Sequence, residues 1–156
     1  MIGENAMTSG DLSSSQQTLT LQEALDLGVQ HHSAGDLPKA EGIYNQILEA
    51  DPDQPVALHL LGVIAHQSGN NEKAVELINR ALTHQPDYAE AHNNLGNAFK
   101  DLNQQDLAIE NYEKAIVLKP DYAEAHYNLG NAFQELGNIG EAIARFETAT
   151  NLKKDH

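Results

Sequence analysis

The sequence predicts an all-α solenoid, eight helices arranged as four helix–turn–helix units that stack along one axis. Three observations predict it. The segments DYAEAHNNLGNAF at 87–99 and DYAEAHYNLGNAF at 121–133 are near copies set 34 residues apart. The same interval carries Leu27-Gly28 onto Leu61-Gly62, Leu95-Gly96 and Leu129-Gly130, and Ala40 onto Ala74, Ala108 and Ala142. Pro52, Pro86 and Pro120 recur in phase, at places where one helix pair must stop before the next begins.

The elements follow in chain order. Residues 1–20, with the run SGDLSSSQQT, carry no periodic apolar pattern and read as a flexible leader. Met7 is an alternative start within it, which leaves open whether residues 1–6 are native. The repeat domain is expected over 21–156, in units 21–54, 55–88, 89–122 and 123–156. Thr20-x-x-Glu23 has the reciprocal spacing of a capping box at the start of the first helix, and Asp87-x-x-Glu90 and Asp121-x-x-Glu124 repeat that spacing. Asp36-Leu37-Pro38 places a proline in the first turn of the second helix, where its missing N–H costs little.

In the third unit Tyr88, His92, Leu95, Phe99 and Leu102 recur at steps of three and four, the stripe of an amphipathic helix. Its second helix carries Leu107, Ala108, Tyr112, Ala115 and Ile116 on the facing side. Gly96, with Ala108 and Ala115 opposite, lets the two helices approach closely. Leu48, Leu82 and Ile116 are expected to face the following unit. Their counterpart in the fourth unit is Thr150, although Ile143 and Phe146 nearby stay apolar. A single helix pair cannot bury its apolar face, so the units must stack.

Composition limits the function. With 23 acidic against 9 basic residues, the formal net charge is −14. Phosphate-directed nucleic-acid binding and adsorption to an anionic membrane both need clustered Lys and Arg, so both are disfavoured. The chain has no cysteine, no secretory signal pattern and no apolar run of spanning length, and a cytoplasmic location is expected. There is no phosphate-binding glycine loop, nucleophile elbow or HExxH pair. His92 and His126 share one slot in successive units, about 10 Å apart at ordinary helix spacing, too far for one metal. They read as half-buried packing residues. His31 and His32 are adjacent and point to different sides of a helix. No cofactor, no metal and no catalysis are expected of this chain.

The four in-phase copies resemble the tetratricopeptide repeat (TPR) family, whose helix–turn–helix unit has this period, and the likeness covers everything after residue 20. The resemblance implies a right-handed α-solenoid of four TPR units, with the first helix of each lining a concave groove that receives a partner's peptide. Opposite the core stripe lie Glu90, Asn94, Asn97 and Asp101 in the third unit, and Glu124, Asn128, Asn131 and Glu135 in the fourth. Steps of four, three and four place each set on one helical face. Asn94 is expected beside Asn128, and Asn97 beside Asn131.

An asparagine offers both a donor and an acceptor, so such a ladder can hold successive peptide groups of an extended chain whatever its side chains. It is similar to the ladder in the TPR arm of O-linked N-acetylglucosamine transferases. The wording LHLLGVIAHQSGNNEKAVELINRAL followed by AHNNLGNAF resembles the TPR stretches of bacterial glycosyltransferases of that type. The array is therefore expected to be a segment of a longer protein, and any glycosyltransferase domain lies outside it. Asparagine is frequent at these positions across TPR proteins, so the ladder reads either as peptide contact, which we prefer, or as family filler.

The ladder covers only half of the groove. The matching positions of the first two units are Gln22, Asp26, Val29 and Ser33, then Val56, Leu60, Val63 and Gln67. Leu60 and Val63 thus form, with Val56, an apolar patch suited to a ligand's hydrophobic side chain, to the leader or to another subunit. Chaperone-binding TPR domains grip a terminal carboxylate with groove Lys and Arg. Here Asp26, Val29, Leu60, Glu90 and Asn94 stand at those positions, and no such clamp forms. The expected partner is a protein or extended peptide, neutral to basic, with weak self-association through the C-terminal unit. The competing reading is an architectural array that self-associates or spaces other domains.

Overall fold

A computed structural model describes residues 6–8 and 18–155. Its helices are α1 (Leu21–Ser33), α2 (Leu37–Ala50), α3 (Pro55–Gln67), α4 (Asn71–His84), α5 (Ala89–Asp101), α6 (Gln105–Leu118), α7 (Ala123–Glu135) and α8 (Ile139–Lys154). Each odd-numbered helix packs on the even one that follows, and α2 on α3, α4 on α5 and α6 on α7 join the units. The first helices of successive units also touch directly, α3 against α5 and α5 against α7. Within the leader, β1 (Ala6–Thr8) pairs antiparallel with β2 (Thr18–Thr20), and the pair sits against α1 and α2. The flexibility expected of residues 1–5 and 9–17 lies outside the described residues.

The turn inside each unit has one design. The residue just past each first helix is followed by Gly35, Gly69, Asn103 or Gly137, all with positive φ (82°, 83°, 60° and 80°). The next amide then reaches back five residues: Asp36 to the His31 carbonyl, Asn70 to Ala65, Gln104 to Phe99 and Asn138 to Phe133. This is the left-handed helix ending that glycine favours and asparagine tolerates. The same residues open the second helices, where Asp36 and Asn70 accept from the Lys39 and Lys73 amides through their side chains.

Helix starts differ from expectation at two places. Thr20 and Glu23 form the reciprocal box, but α5 and α7 begin after Tyr88 and Tyr122 with no side-chain cap. Asp87 and Asp121 stand one residue too early, which leaves Glu90 and Glu124 at the second helical position instead of the third. Both carboxylates are engaged elsewhere, as described below. Gln54 supplies an unforeseen cap, its Oε1 accepting from Ala57 N at 2.8 Å.

The core runs along the seam between first and second helices. A Cβ on Gly96 would lie 2.6 Å from the Tyr112 ring, and one on Gly130 would lie 2.7 Å from Phe146. Glycine is thus the seat of an aromatic ring from the second helix. Ala108, Tyr112 and Ala115 are fully buried as expected, but Leu107 is exposed. It sits in the first turn of α6, ahead of the seam. Leu48, Leu82 and Ile116 pack into the apolar clusters, whereas Thr150 is exposed.

Candidate functional site

The first helices carry a polar system that repeats with the chain's own period. Between the third and fourth units, Asn128 Nδ2 donates to Asn93 Oδ1 at 3.0 Å, and Asn93 Nδ2 donates to Glu124 Oε1 at 3.3 Å. Between the second and third, Asn94 Nδ2 meets His59 Nε2 at 2.8 Å, and His59 Nδ1 meets the Tyr88 hydroxyl at 2.8 Å. His59 and Asn93 occupy equivalent slots, as do Asn94 and Asn128. Each joint is therefore a side chain of one unit clasped by the next. Further along the same helices, His32 Nε2 pairs with Gln67 Oε1 at 2.7 Å and His66 Nε2 with Asp101 Oδ2 at 2.6 Å.

Hydrogen-bond chemistry fixes the state of His59. An amide NH2 can only donate, so Nε2 accepts from Asn94. Nδ1 then carries the proton and donates to Tyr88. The ring is 4% exposed and stands edge-on to Tyr88, with centroids 4.7 Å apart. Burial holds its pKa down to about 4, while Glu90 pulls the other way. The Tyr88 phenol is pushed up to about 12, first by burial and then by Glu90 and Tyr44. Tyr122 is raised by burial and by Glu124 and Glu90, so both phenols stay neutral and available as hydrogen-bonding groups.

The expected site residues take distinct positions. Asn94 does not pair with Asn128, nor Asn97 with Asn131. Asn94 and Asn128 instead each meet the residue one position earlier in the first helix of the preceding unit, His59 and Asn93 respectively. Asn97 Oδ1 accepts from the Tyr112 hydroxyl at 2.6 Å. Asn131 has no such donor, because Phe146 replaces the tyrosine, and its side chain makes no hydrogen bond among the described residues. Glu90 lies 3.7 Å from Lys119 Nζ, Glu124 is held by Asn93, Asp101 by His66, and Glu135 accepts from Gln105. Leu60 and Val56 pack partly against the core of the first two units. Val63 is half-buried, and Val29, at its equivalent position in α1, is 44% exposed.

Two participants escaped the sequence reading. His59 and fully buried Asn93 each lie one residue before the ridge positions, Leu60 and Asn94, that the spacing predicts. The usable signal was Ala89, Asn93 and Gly96, a polar residue at helical spacing between two small ones. His92 and His126 are packing residues whose Nε2 atoms both lie 2.9 Å from a carbonyl oxygen, that of Pro86 or Pro120. Among the described residues no three His, Asp or Glu side chains converge as a metal site would. None of the described helices is long and apolar enough to cross a membrane.

Known proteins give the same architecture. Models described as tetratricopeptide repeat match residues 31–98 and 123–156, and one described as TPR repeat matches 96–137. No curated protein sequence matches the chain. Among solved structures, the chain is similar to a crystal structure of MamA at 26% identity and a TM-score of 0.75, over 86% of this chain and 78% of that one. It has the fold of MamA residues 41 to the end from Desulfovibrio magneticus RS-1 at 21% identity and a TM-score of 0.75, with coverage of 86% and 76%. A further MamA structure aligns at 26% identity and a TM-score of 0.73, over 85% and 73%.

Proposed function

We propose, for a chain that is an array of tetratricopeptide repeats and hence a protein-binding module, that its partner lies as an extended polypeptide along the face formed by α3, α5 and α7. The observation that carries this reading is the hydrogen-bonding capacity left over on that face. Asn94 and Asn128 each spend one N–H on the preceding unit and keep an Oδ1 and a second N–H. Asn97 keeps its NH2, and Asn131 keeps everything. An extended chain offers one N–H and one C=O per residue, which matches these groups without regard to its side chains.

The charged groups beside them, Glu90, Asp101, Glu124 and Glu135, favour a neutral or basic segment and disfavour nucleic acid. Val63 and Val29 give the other half of the groove an aliphatic surface for an apolar side chain. The position of the array as the arm of a longer glycosyltransferase belongs to the same proposal and rests on the wording of its repeats. Cytoplasmic residence fits a chain without cysteine.

Asn131→Ala tests the groove, because that side chain serves no internal bond. Loss of one net hydrogen bond, about 0.5–1.5 kcal/mol, should weaken binding of a lysine-containing extended peptide roughly two- to tenfold, with stability unchanged. Calorimetry showing equal affinity would remove the groove face from the account.

A second reading, self-association, is favoured by a separate observation. Tyr127 is 51% exposed, and Ile139 and Ile143 are each 52% exposed. Their counterparts one repeat earlier include fully buried Asn93 and the packed Ile109, which the following unit covers.

A further inference from the structure

We infer that the joint between the second and third repeats is a proton-operated latch: protonation of His59 opens the α3–α5 contact, while the α5–α7 contact, built on Asn93, holds. The geometry carries this. In the closed joint both ring nitrogens are committed, Nδ1–H to the Tyr88 hydroxyl and the Nε2 lone pair to the Asn94 NH2. A second ring proton would sit on Nε2 and point at the amide hydrogens of Asn94, 2.8 Å away between heavy atoms. Both groups would then be donors, and the ring has no exposed face through which water could replace the lost acceptor. In the next joint the equivalent side chain is an amide, which does not titrate.

The groups around the ring decide the direction. From α5 it faces Tyr88, Asn94 and the field of Glu90, whose carboxylate lies 3.7 Å from Lys119. From α2, Tyr44 acts on Tyr88 and stays neutral. Glu90 alone favours the imidazolium, and burial outweighs it. At the far end of the same joint, His66 lies 2.6 Å from Asp101. The folded pKa of about 4 lies below the ordinary value of 6.5. The open form therefore binds the extra proton, and closure is complete above pH 6.5 and lost as pH falls towards 4. Between pH 6.5 and 5, above the range of ordinary carboxylates, the opening equilibrium should rise on the order of tenfold per pH unit.

The test follows the side-chain amides of Asn94 and Asn128 and the ring nitrogens of His59 by NMR from pH 7 to 5, with amide protection factors for α3, α5 and α7. The expected result is a neutral His59 with its proton on Nδ1 at pH 7. Protection across α3–α5 should then fall with pH, while the Asn128 amide and α5–α7 stay unchanged. His59→Asn, which copies the neighbouring joint, should abolish the selective acid response. Equal weakening of both joints, or the same response in His59→Asn, would overturn the latch. Should His59→Asn fail to fold, the unaltered protein decides alone: a ring that protonates near 6.5 with no change at Asn94 defeats the proposal.

Discussion

Asn93 is the residue on which most of the polar joint depends. It is fully buried, yet both ends of its amide are used, accepting from Asn128 and donating to Glu124. A satisfied buried amide is nearly neutral in net stability, but removing it leaves the half-buried Asn128 donor without its acceptor, at about 1–3 kcal/mol, whereas the exposed Glu124 carboxylate regains water. Asn93→Leu should therefore destabilise the array by roughly 1–3 kcal/mol in urea denaturation, whereas Asn131→Ala should stay within about 0.5 kcal/mol. Equal effects at the two positions would show that the bond to Asn128 contributes nothing. For the same reason the pair Asn94→Ala and Asn128→Ala is a poor probe of ligand contact: each change also removes a bond to the preceding unit.

At the scale of the helix pair, close approach and turn geometry place different demands on glycine. Gly96 is required by contact, because its Cα hydrogens lie against the Tyr112 ring in the middle of α5. Gly137 has open space around it and is required only by its φ of +80°. Gly96→Leu should cost at least about 3 kcal/mol, at the upper end of overpacking, since a ring held in the core cannot move aside. Gly137→Ala should cost roughly 1 kcal/mol, the strain of an L-residue in the left-handed region. Asn103, the counterpart of Gly137 with φ of 60°, already tolerates that conformation. A denaturation series ranking Gly137→Ala above Gly96→Leu would contradict this assignment of roles.

Over the whole molecule, apolar surface is distributed unevenly. Val29 is the one large hydrophobic exposed in the first two units, whereas Leu107, Val117, Leu118, Tyr127, Leu136, Ile139 and Ile143 are exposed in the last two. Beside Ile143 and Phe146 the surface also carries Glu147, Thr150 and Asn151, so a contact made here is mixed in polarity. It should fall below the roughly 800 Å² per partner of a stable interface. Light scattering should show a mean mass that rises with concentration at millimolar protein, and Phe146→Lys or Ile143→Lys should suppress the rise. A constant monomer mass over that range would leave this surface without a role in self-association.

The sequence by itself determined the period, the number of helices and their pairing. These depend on local rules that recur every 34 residues: apolar spacing, a small residue at the crossing and a turn that needs positive φ. At Gly96 the sequence indicated only a close approach of the two helices, with Ala108 and Ala115 opposite; that Gly96 and Gly130 seat the rings of Tyr112 and Phe146 is shown by the structure. Tertiary structure decided what the polar residues do. Whether Asn94 faces Asn128 or His59 depends on how far one unit is rotated against the next, and a shift of a single residue along a helix turns a side chain by about 100°. The carboxylates show the same dependence. Glu90 and Glu124 have the sequence spacing of caps, but Lys119 and Asn93, distant in the chain, lie close to them in space. Local pattern fixes a helix and its buried face, whereas the partners of a polar group are set by the packing of units that the pattern describes only one at a time.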